Sequence, residues 1–457
     1  MHMNDKVLGS SPTDPDLEHR QNSPTSEKAP DGGYGWVVTI SVAIVNGHSW
    51  GINAAYSVFL AHFVKENTFP GTTPLMYAIA GSLSVGVTML ISPFVTITAR
   101  VLGTRPTMLI GAVVQSVSLV CASLSTEVWQ LFLSQGVLFG IGMGLLFLPS
   151  YGIISQWFMR RRALANGIAI AGAGLGGLTY SLATGEIIRS MGLDWAYRIL
   201  AIVSAVTNIT CTLLIRTRYT SQATRLAFDI KLLQKPEYLL VLSYGAFSTL
   251  GYFVLIFTLA NYANVIGLQS SQASMIPAFF MFGQAIGRPC IGWLSDRYGR
   301  INLTFIMSFI TGILTFTIWI NAKSFGVLLT YALVGGLTAG VFWVNISPVL
   351  VETMGLTKLA SALSCLWVAM AAPSTFSAPI ALVIYTGTGS YLGAQLFTGF
   401  MYIASSLCVL VLRRWMINSR TKDDIGSNTG TSSAEDKEGV PETSAGWAVK
   451  RVRLEIV

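Results

Sequence analysis

Apolar residues run along this chain in long blocks separated by short polar stretches. Windows of about 19 residues pick out twelve such blocks: 36–61, 75–98, 107–125, 128–151, 163–188, 195–215, 238–266, 272–295, 302–321, 325–351, 359–385 and 390–412. Each is long enough to cross the hydrocarbon core of a bilayer as a helix, about 30 Å. Inside a bilayer only helices and closed barrels satisfy every backbone polar group. The pattern therefore predicts an all-α membrane protein with twelve transmembrane helices. The least distinct boundary lies between the fifth and sixth blocks, interrupted only by Arg189 to Asp194.

The polar stretches are not alike. Those after even-numbered blocks carry Arg100 and Arg105; Arg160, Arg161 and Arg162; Arg216, Arg218, Arg225, Lys231 and Lys235; Arg297 and Arg300; and Lys358. The opposite set carries little beyond Lys65, Arg189 and Lys323. The Lys/Arg bias places the first set, and with it both termini, in the cytoplasm; the plasma membrane is the expected site. The stretch from Arg216 to Glu237 is the longest internal loop and divides the blocks six and six. The expected organisation is a disordered tail (1–30), a six-helix bundle (31–215), a linker (216–237), a second bundle (238–412) and a disordered tail (413–457). The tails are polar and rich in Ser, Thr, Gly and Glu, and the run from Lys450 to Arg453 is a weak signal for anionic lipid. The halves also echo each other. Arg100 to Arg105 follows the second block, and Asp296 to Arg300 follows the eighth. Leu148-Pro149-Ser150 ends the fourth, and Ser347-Pro348-Val349 ends the tenth. Two six-helix pseudo-repeats around a central cavity are the architecture of many secondary transporters.

Composition closes off other classes. Of 457 residues, 52% are hydrophobic and 11% charged, too few charges to cover a soluble surface, where about a quarter are charged. The net charge of +8 lies in loops, with no basic surface of the kind that binds nucleic acid. The cysteines (Cys121, Cys211, Cys290, Cys365, Cys408) lie in apolar blocks at no metal or redox spacing, and read as small buried packers. No cofactor or metal is expected, and no enzyme. Gly172, Gly174 and Gly177 fit a dinucleotide fingerprint, and Gly47, Ser49 and Gly51 a hydrolase elbow, but neither follows a strand. The sequons at Asn208, Asn302 and Asn345 lie in or beside spans, where glycosylation is not expected. No ATP-binding motif is present, so energy must come from a gradient.

Three motifs narrow the reading. Gly292-Trp293-Leu294-Ser295-Asp296-Arg297-Tyr298-Gly299-Arg300 resembles the loop signature of the major facilitator superfamily. Its logic is physical: Gly292 admits a close helix, Gly299 a tight turn, and Asp296 can face a helix N-terminus and pair with arginine, latching one arrangement of the halves. In the first half Arg100 stands where that Asp would be. Asp31-Gly32-Gly33-Tyr34-Gly35-Trp36 resembles the opening signature of the monocarboxylate porter family. The stretch Trp157 to Gly172, with Arg161, Arg162 and Gly167, resembles that family's second signature. A third echo runs from Ala378 to Tyr391. Gly172 to Gly177 also resembles an antiporter motif, with Ala173 in place of its proline.

The resemblance implies the major facilitator fold and movement of small organic anions by alternating access, in a fungal-type member. It also locates a departure. Proton-coupled lactate carriers of the family have D-x-x-x-R-P in the eighth span; here the stretch is Gln284-Ala285-Ile286-Gly287-Arg288-Pro289. Those carriers also have a lysine late in the first span, where Ala54 stands here. Proton coupling is thus left open.

On physics alone Arg288 is the foremost candidate, since a charge at a span centre costs about 2.5–3.5 kcal/mol. It either binds or gates an anion, or it is structural, held by a partner such as a backbone carbonyl. Weaker candidates to bind or gate cargo are His48, Asn53, Tyr56, Asn261, Gln284 and Asn345, with Asn46, Tyr262 and Trp343 beside them. For any one of them, helix–helix hydrogen bonding is the competing role. His48 is also a candidate proton relay. Two alternatives stand beside secondary active or facilitative transport of a small, monocarboxylate-like organic solute in either direction: export of a fungal secondary metabolite, and a non-transporting nutrient sensor on a transporter fold. The expected partners are a small organic solute and the lipid bilayer; protein partners are unreadable.

Overall fold

The computed structural model describes residues 29–218 and 229–435. These form twelve helical rods, α1 to α12, and no strand among the described residues. The first half contains α1 (Tyr34–Glu66), α2 (Pro74–Leu90 continued by Ser92–Val101), α3 (Thr104–Ser123), α4 (Val128–Trp157), α5 (Arg162–Met191) and α6 (Leu193–Leu214). A short 3-10 turn, Ile230–Gln234, leads into the second half. There follow α7 (Pro236–Val265), α8 (Ser270–Tyr298), α9 (Arg300–Trp319), α10 (Phe325–Met354), α11 (Leu359–Thr388) and α12 (Leu392–Glu435).

Each expected block falls on one rod. Nine rods are long and apolar enough to cross a membrane by themselves, and ten if α2, bent by 50°, counts as one span. The bend sits at Ile91, just before Pro93, which has no N–H to continue the ladder. The two rods that fall short, α1 and α8, are full length (33 and 29 residues) but spend positions on polar groups: Asn46, His48 and Asn53 in one, Gln284 and Arg288 in the other. A helix that gives up lipid solubility needs a polar environment inside the protein. Gly192, at φ +93°, separates α5 from α6 at their least distinct boundary.

α5 wedges between α1 and α8. In lipid no hydrophobic force drives helices together, so small residues and close backbones must do it. A methyl group on Gly172 would strike the Ala43 backbone, and one on Gly176 the Gly47 backbone. On the side facing the second half, a methyl on Gly167 would strike the Arg288 carbonyl, and one on Gly174 would lie 3.0 Å from that of Met281.

Two expectations need adjustment. Cys121 and Cys290 are exposed on their helices rather than buried, whereas Cys211 and Cys365 are buried and Cys408 is intermediate. An apolar block predicts the helix but not which side of it meets lipid. The last helix also continues past the expected end of its span to Glu435. The rest of both tails, including Lys450 to Arg453, lies outside the described residues, as do linker residues 219–228.

Candidate functional site

The site begins on α8. Gln284 and Arg288 are four apart and share one helix face; Gln284 is fully buried and Arg288 is 4% exposed. The guanidinium reaches both halves. Nη1 donates to the Ile170 carbonyl of α5 (2.7 Å). Nη2 donates to the Tyr252 hydroxyl of α7 (2.9 Å) and to Gln284 Oε1. Tyr252 in turn donates to Gln284 Oε1 (2.7 Å). None of the ion pairs found among the described residues involves Arg288. A backbone carbonyl holds it, as the structural alternative expects, and no carboxylate among the described residues pairs with it.

An aromatic cluster adjoins this triad. Trp343 of α10 lies 5.8 Å from Tyr252, from Trp50 of α1 and from Trp367 of α11, stacked on the last. Phe147 of α4 touches both Trp50 and Trp367. The Tyr151 hydroxyl donates to the Trp343 carbonyl. Among the described residues the indole N–H groups of Trp50, Trp343 and Trp367 have no acceptor, and neither has Nε of Arg288. Buried donors left unmade cost about 1–3 kcal/mol each. The site is thus rich in donors, poor in acceptors and positively charged, which suits an acceptor-bearing anion.

The other predicted polar residues do not join it. The Nδ1 of His48 lies 2.9 Å from the Ile44 carbonyl, and its ring meets the edge of Tyr180. Asn53 donates to Ser84 Oγ (2.6 Å) and Tyr56 to the Tyr77 carbonyl (2.9 Å), fastening α1 to α2. Asn46 donates to the Ala169 carbonyl. Asn261 donates to the Tyr391 hydroxyl, and Tyr262 to the Ala322 carbonyl. Asn345 accepts from Ser295 (3.0 Å) and donates to Thr304 (2.8 Å), tying α10 to α8 and α9. Tyr252, Trp50 and Trp367 were not foreseen. Their one signal was a polar edge at the middle of an apolar block, which many residues share.

A second constellation lies at the end of the bundle that carries the arginine-rich loops. Asp296 accepts from the backbone N–H groups of Ala163 (3.1 Å) and Leu164 (2.9 Å), at the N-terminus of α5 in the opposite half. Arg300 pairs with Asp296 (3.1 Å) and Glu352 (2.8 Å) and donates to the Met159 carbonyl (2.8 Å). Gly292 lies against the Ala163 backbone, where a side chain would collide, and Gly299 takes φ +93°. Arg297 takes no part in these contacts; it points outward over Trp293 and Tyr298. In the first half Arg100 donates to Ser361 Oγ (3.2 Å) of α11.

The two family signatures meet in space. Asp31 accepts from the backbone of Met159, Arg160 and Arg161, and Trp36 packs edge-on against Phe158 (4.9 Å). Gly35 lets Trp157 and Phe158 approach: a methyl there would lie 3.1 Å from both. Gly33, at φ +59°, turns the chain into α1, and a methyl on Gly32 would lie 4.0 Å from the Trp36 indole. Arg162 folds back onto the Phe158 carbonyl (3.0 Å), covering the last turn of α4, while Arg161 is exposed. No cluster of His, Cys, Asp and Glu suited to a metal occurs among the described residues.

The sequence model of the Major Facilitator Superfamily matches residues 38–269 and 241–447. The chain is 30% identical to "Probable transporter MCH2" of Saccharomyces cerevisiae over 427 residues, covering 91% of this chain and 89% of the yeast protein. It is 27% identical over 430 residues to monocarboxylate transporter 10 of Danio rerio, covering 90% and 84% of the two chains. Among solved structures it resembles the proton:xylose symporter XylE bound to 6-bromo-6-deoxy-D-glucose, with a TM-score of 0.67, 14% identity, and coverage of 84% of this chain and 95% of that one. At that identity the likeness speaks for the fold.

Proposed function

The chain belongs to the major facilitator superfamily, and from its site we propose that this integral membrane transporter carries a small organic anion of the monocarboxylate kind by alternating access. The single observation that carries this reading is Arg288, a buried guanidinium with an unused Nε and, among the described residues, no carboxylate partner, whose hydrogen-bond partner Tyr252 adjoins a tryptophan cluster with three indole N–H groups that also lack acceptors. A carboxylate would supply both the missing negative charge and the missing acceptors. The relative named monocarboxylate transporter 10 supports the same cargo class.

Alternating access follows from where the halves touch. The hydrogen bonds between them (Arg288–Ile170, Tyr151–Trp343, Ser155–Ser347, Asp296 with Ala163 and Leu164, Arg300–Met159, Arg100–Ser361) lie between the middle of the bundle and its arginine-rich end. By the positive-inside rule that end faces the cytoplasm, so this is the arrangement shut toward the cytoplasm, with Asp296 as its latch. Arg288 belongs to both features: it holds α5 of the opposite half and presents itself to cargo. A bound anion would compete for the guanidinium and loosen its hold on Ile170, coupling occupancy to opening. Gln284 does not titrate, so this pair binds an anion without itself trading a proton.

Reconstitution in vesicles with a labelled short-chain carboxylate, measured in both directions, tests the reading. Arg288→Ala at equal protein level should lower kcat/KM about 10- to 100-fold, the worth of a charge-assisted hydrogen bond. Arg288→Lys should recover only part, because an ammonium lacks the fork. Wild-type flux in Arg288→Ala would reject the role given to this residue.

A further inference from the structure

We propose that Asp31 is a positioning residue for the latch: it builds and holds the backbone surface onto which Asp296 of the other half docks. This rests on reading the Asp296 contacts as a latch. The donors form one short run. The N–H groups of Met159 (2.7 Å), Arg160 (2.8 Å) and Arg161 (3.3 Å) point at Asp31 Oδ1. Two residues on, Ala163 and Leu164 point at Asp296. Two carboxylates therefore divide the N-terminal amides of α5 and the loop before it. One comes from the same half and stays; the other comes from the opposite half and must leave when the cytoplasmic side opens. Arg300 of the opposite half grips the same loop at the Met159 carbonyl.

Phe158 still closes the ladder of α4 on the Ile154 carbonyl and is buried, but Met159 to Arg161 lie outside both flanking helices, so no helical ladder uses their N–H groups. Asp31 is itself held firmly: its N–H donates to the Trp157 carbonyl (3.2 Å), and its backbone is kept at φ +51°, a left-handed conformation uncommon for a residue with a side chain. Tyr34 lies against Trp157 (5.9 Å) and Trp36 against Phe158. The opening motif is thus a clamp on one loop, and the amides that Asp296 must find are the direct continuation of that loop. Neutralising Asp31 removes the charge from three charge-assisted bonds and lets the receiving surface drift, which weakens the grip of Asp296 without touching Asp296 itself.

Cross-linking reads the latch directly. Ser155 and Ser347 face each other across the halves with hydroxyl oxygens 2.9 Å apart. Ser155→Cys and Ser347→Cys, placed together in the full chain with its five native cysteines replaced by alanine, should form a disulfide readily under mild oxidation in membranes. Asp296→Asn and Asp31→Asn should each slow that cross-link by about 10-fold, the scale of one charge-assisted hydrogen bond. Asp31→Asn combined with Asp296→Asn should be no slower than Asp296→Asn alone, because one acts through the other. Asp31→Ser, which loses the charge and whose shorter hydroxyl accepts one N–H, should be slowed at least as much as Asp31→Asn. Control-rate cross-linking in Asp31→Asn while Asp296→Asn is slowed would overturn the positioning role and leave the latch standing, as would simple additivity of the two. Control-rate cross-linking in Asp296→Asn would remove the latch itself. Should Asp31→Asn fail to reach the membrane, Asp31→Ser decides the same comparison.

Discussion

A guanidinium in the middle of a membrane helix is an expensive residue, and Arg288 is held by a hydroxyl, an amide and a carbonyl in place of an ion pair. Gln284 decides what kind of site results. As an amide it accepts from both Arg288 and Tyr252 and leaves the positive charge uncancelled. Gln284→Glu would place a carboxylate in that position and neutralise the guanidinium. Anion uptake by this variant should fall about 10-fold at pH 7.5 and recover as the medium is acidified, because protonating the new carboxyl returns the site to its neutral-acceptor form. A flat pH profile at wild-type rate would argue that cargo does not meet Arg288. Arg288 stood out in the sequence because charge inside an apolar block has few explanations. Tyr252 and the tryptophans did not, because an aromatic residue in a span is equally a packing residue until its neighbours are known. Asn53 and Asn345 show the converse: polar in sequence, they are used to fasten one helix to the next, while His48 turns to the Ile44 carbonyl of its own helix.

At the scale of elements, α5 does two jobs with its two glycine faces. Gly172 and Gly176 fit it permanently against α1 within the first half, and Gly167 fits it against α8 across the halves. Two substitutions of the same kind should therefore fail differently. Gly172→Ala should destabilise the folded protein by about 1–3 kcal/mol, the usual cost of overpacking, and lower its thermal midpoint in detergent. Gly167→Ala should cost little folded stability but disfavour the arrangement shut toward the cytoplasm, slowing the cross-link between cysteines placed at Ser155 and Ser347. Equal loss of thermal stability in both would mean that the contact across the halves is as permanent as the one within a half. The glycines were plain in sequence as packing residues, but the partner of each was not.

For the whole molecule, the proposed pair of six-helix bundles requires that both chain ends emerge on one side. Tags accessible to reagents at the first and last residues should respond together from the cytoplasmic side of intact cells and not from outside. Opposite labelling of the two ends would leave an odd number of crossings and dismantle the arrangement of halves. The asymmetry of the latches also belongs to this scale. The second half docks a carboxylate on a helix N-terminus, where charge and dipole attract. The first half offers Arg100 to Ser361, with no such attraction. The hold between the halves is therefore concentrated on the side of α5 and α8.

The sequence by itself determined that the chain folds into long apolar helices and singled out the costly charge. Each of these depends on composition within a window or on one residue in an alien setting, and lipid imposes such constraints locally. Only the tertiary structure decided which side of each helix meets lipid, that Asp31 and Asp296 share one run of amides, and that Tyr252 links Arg288 to a tryptophan cluster with unpaired indole N–H groups. Those are relations between residues on different helices, fixed by how the rods pack, and a pattern read along one chain carries no information about which distant faces will touch.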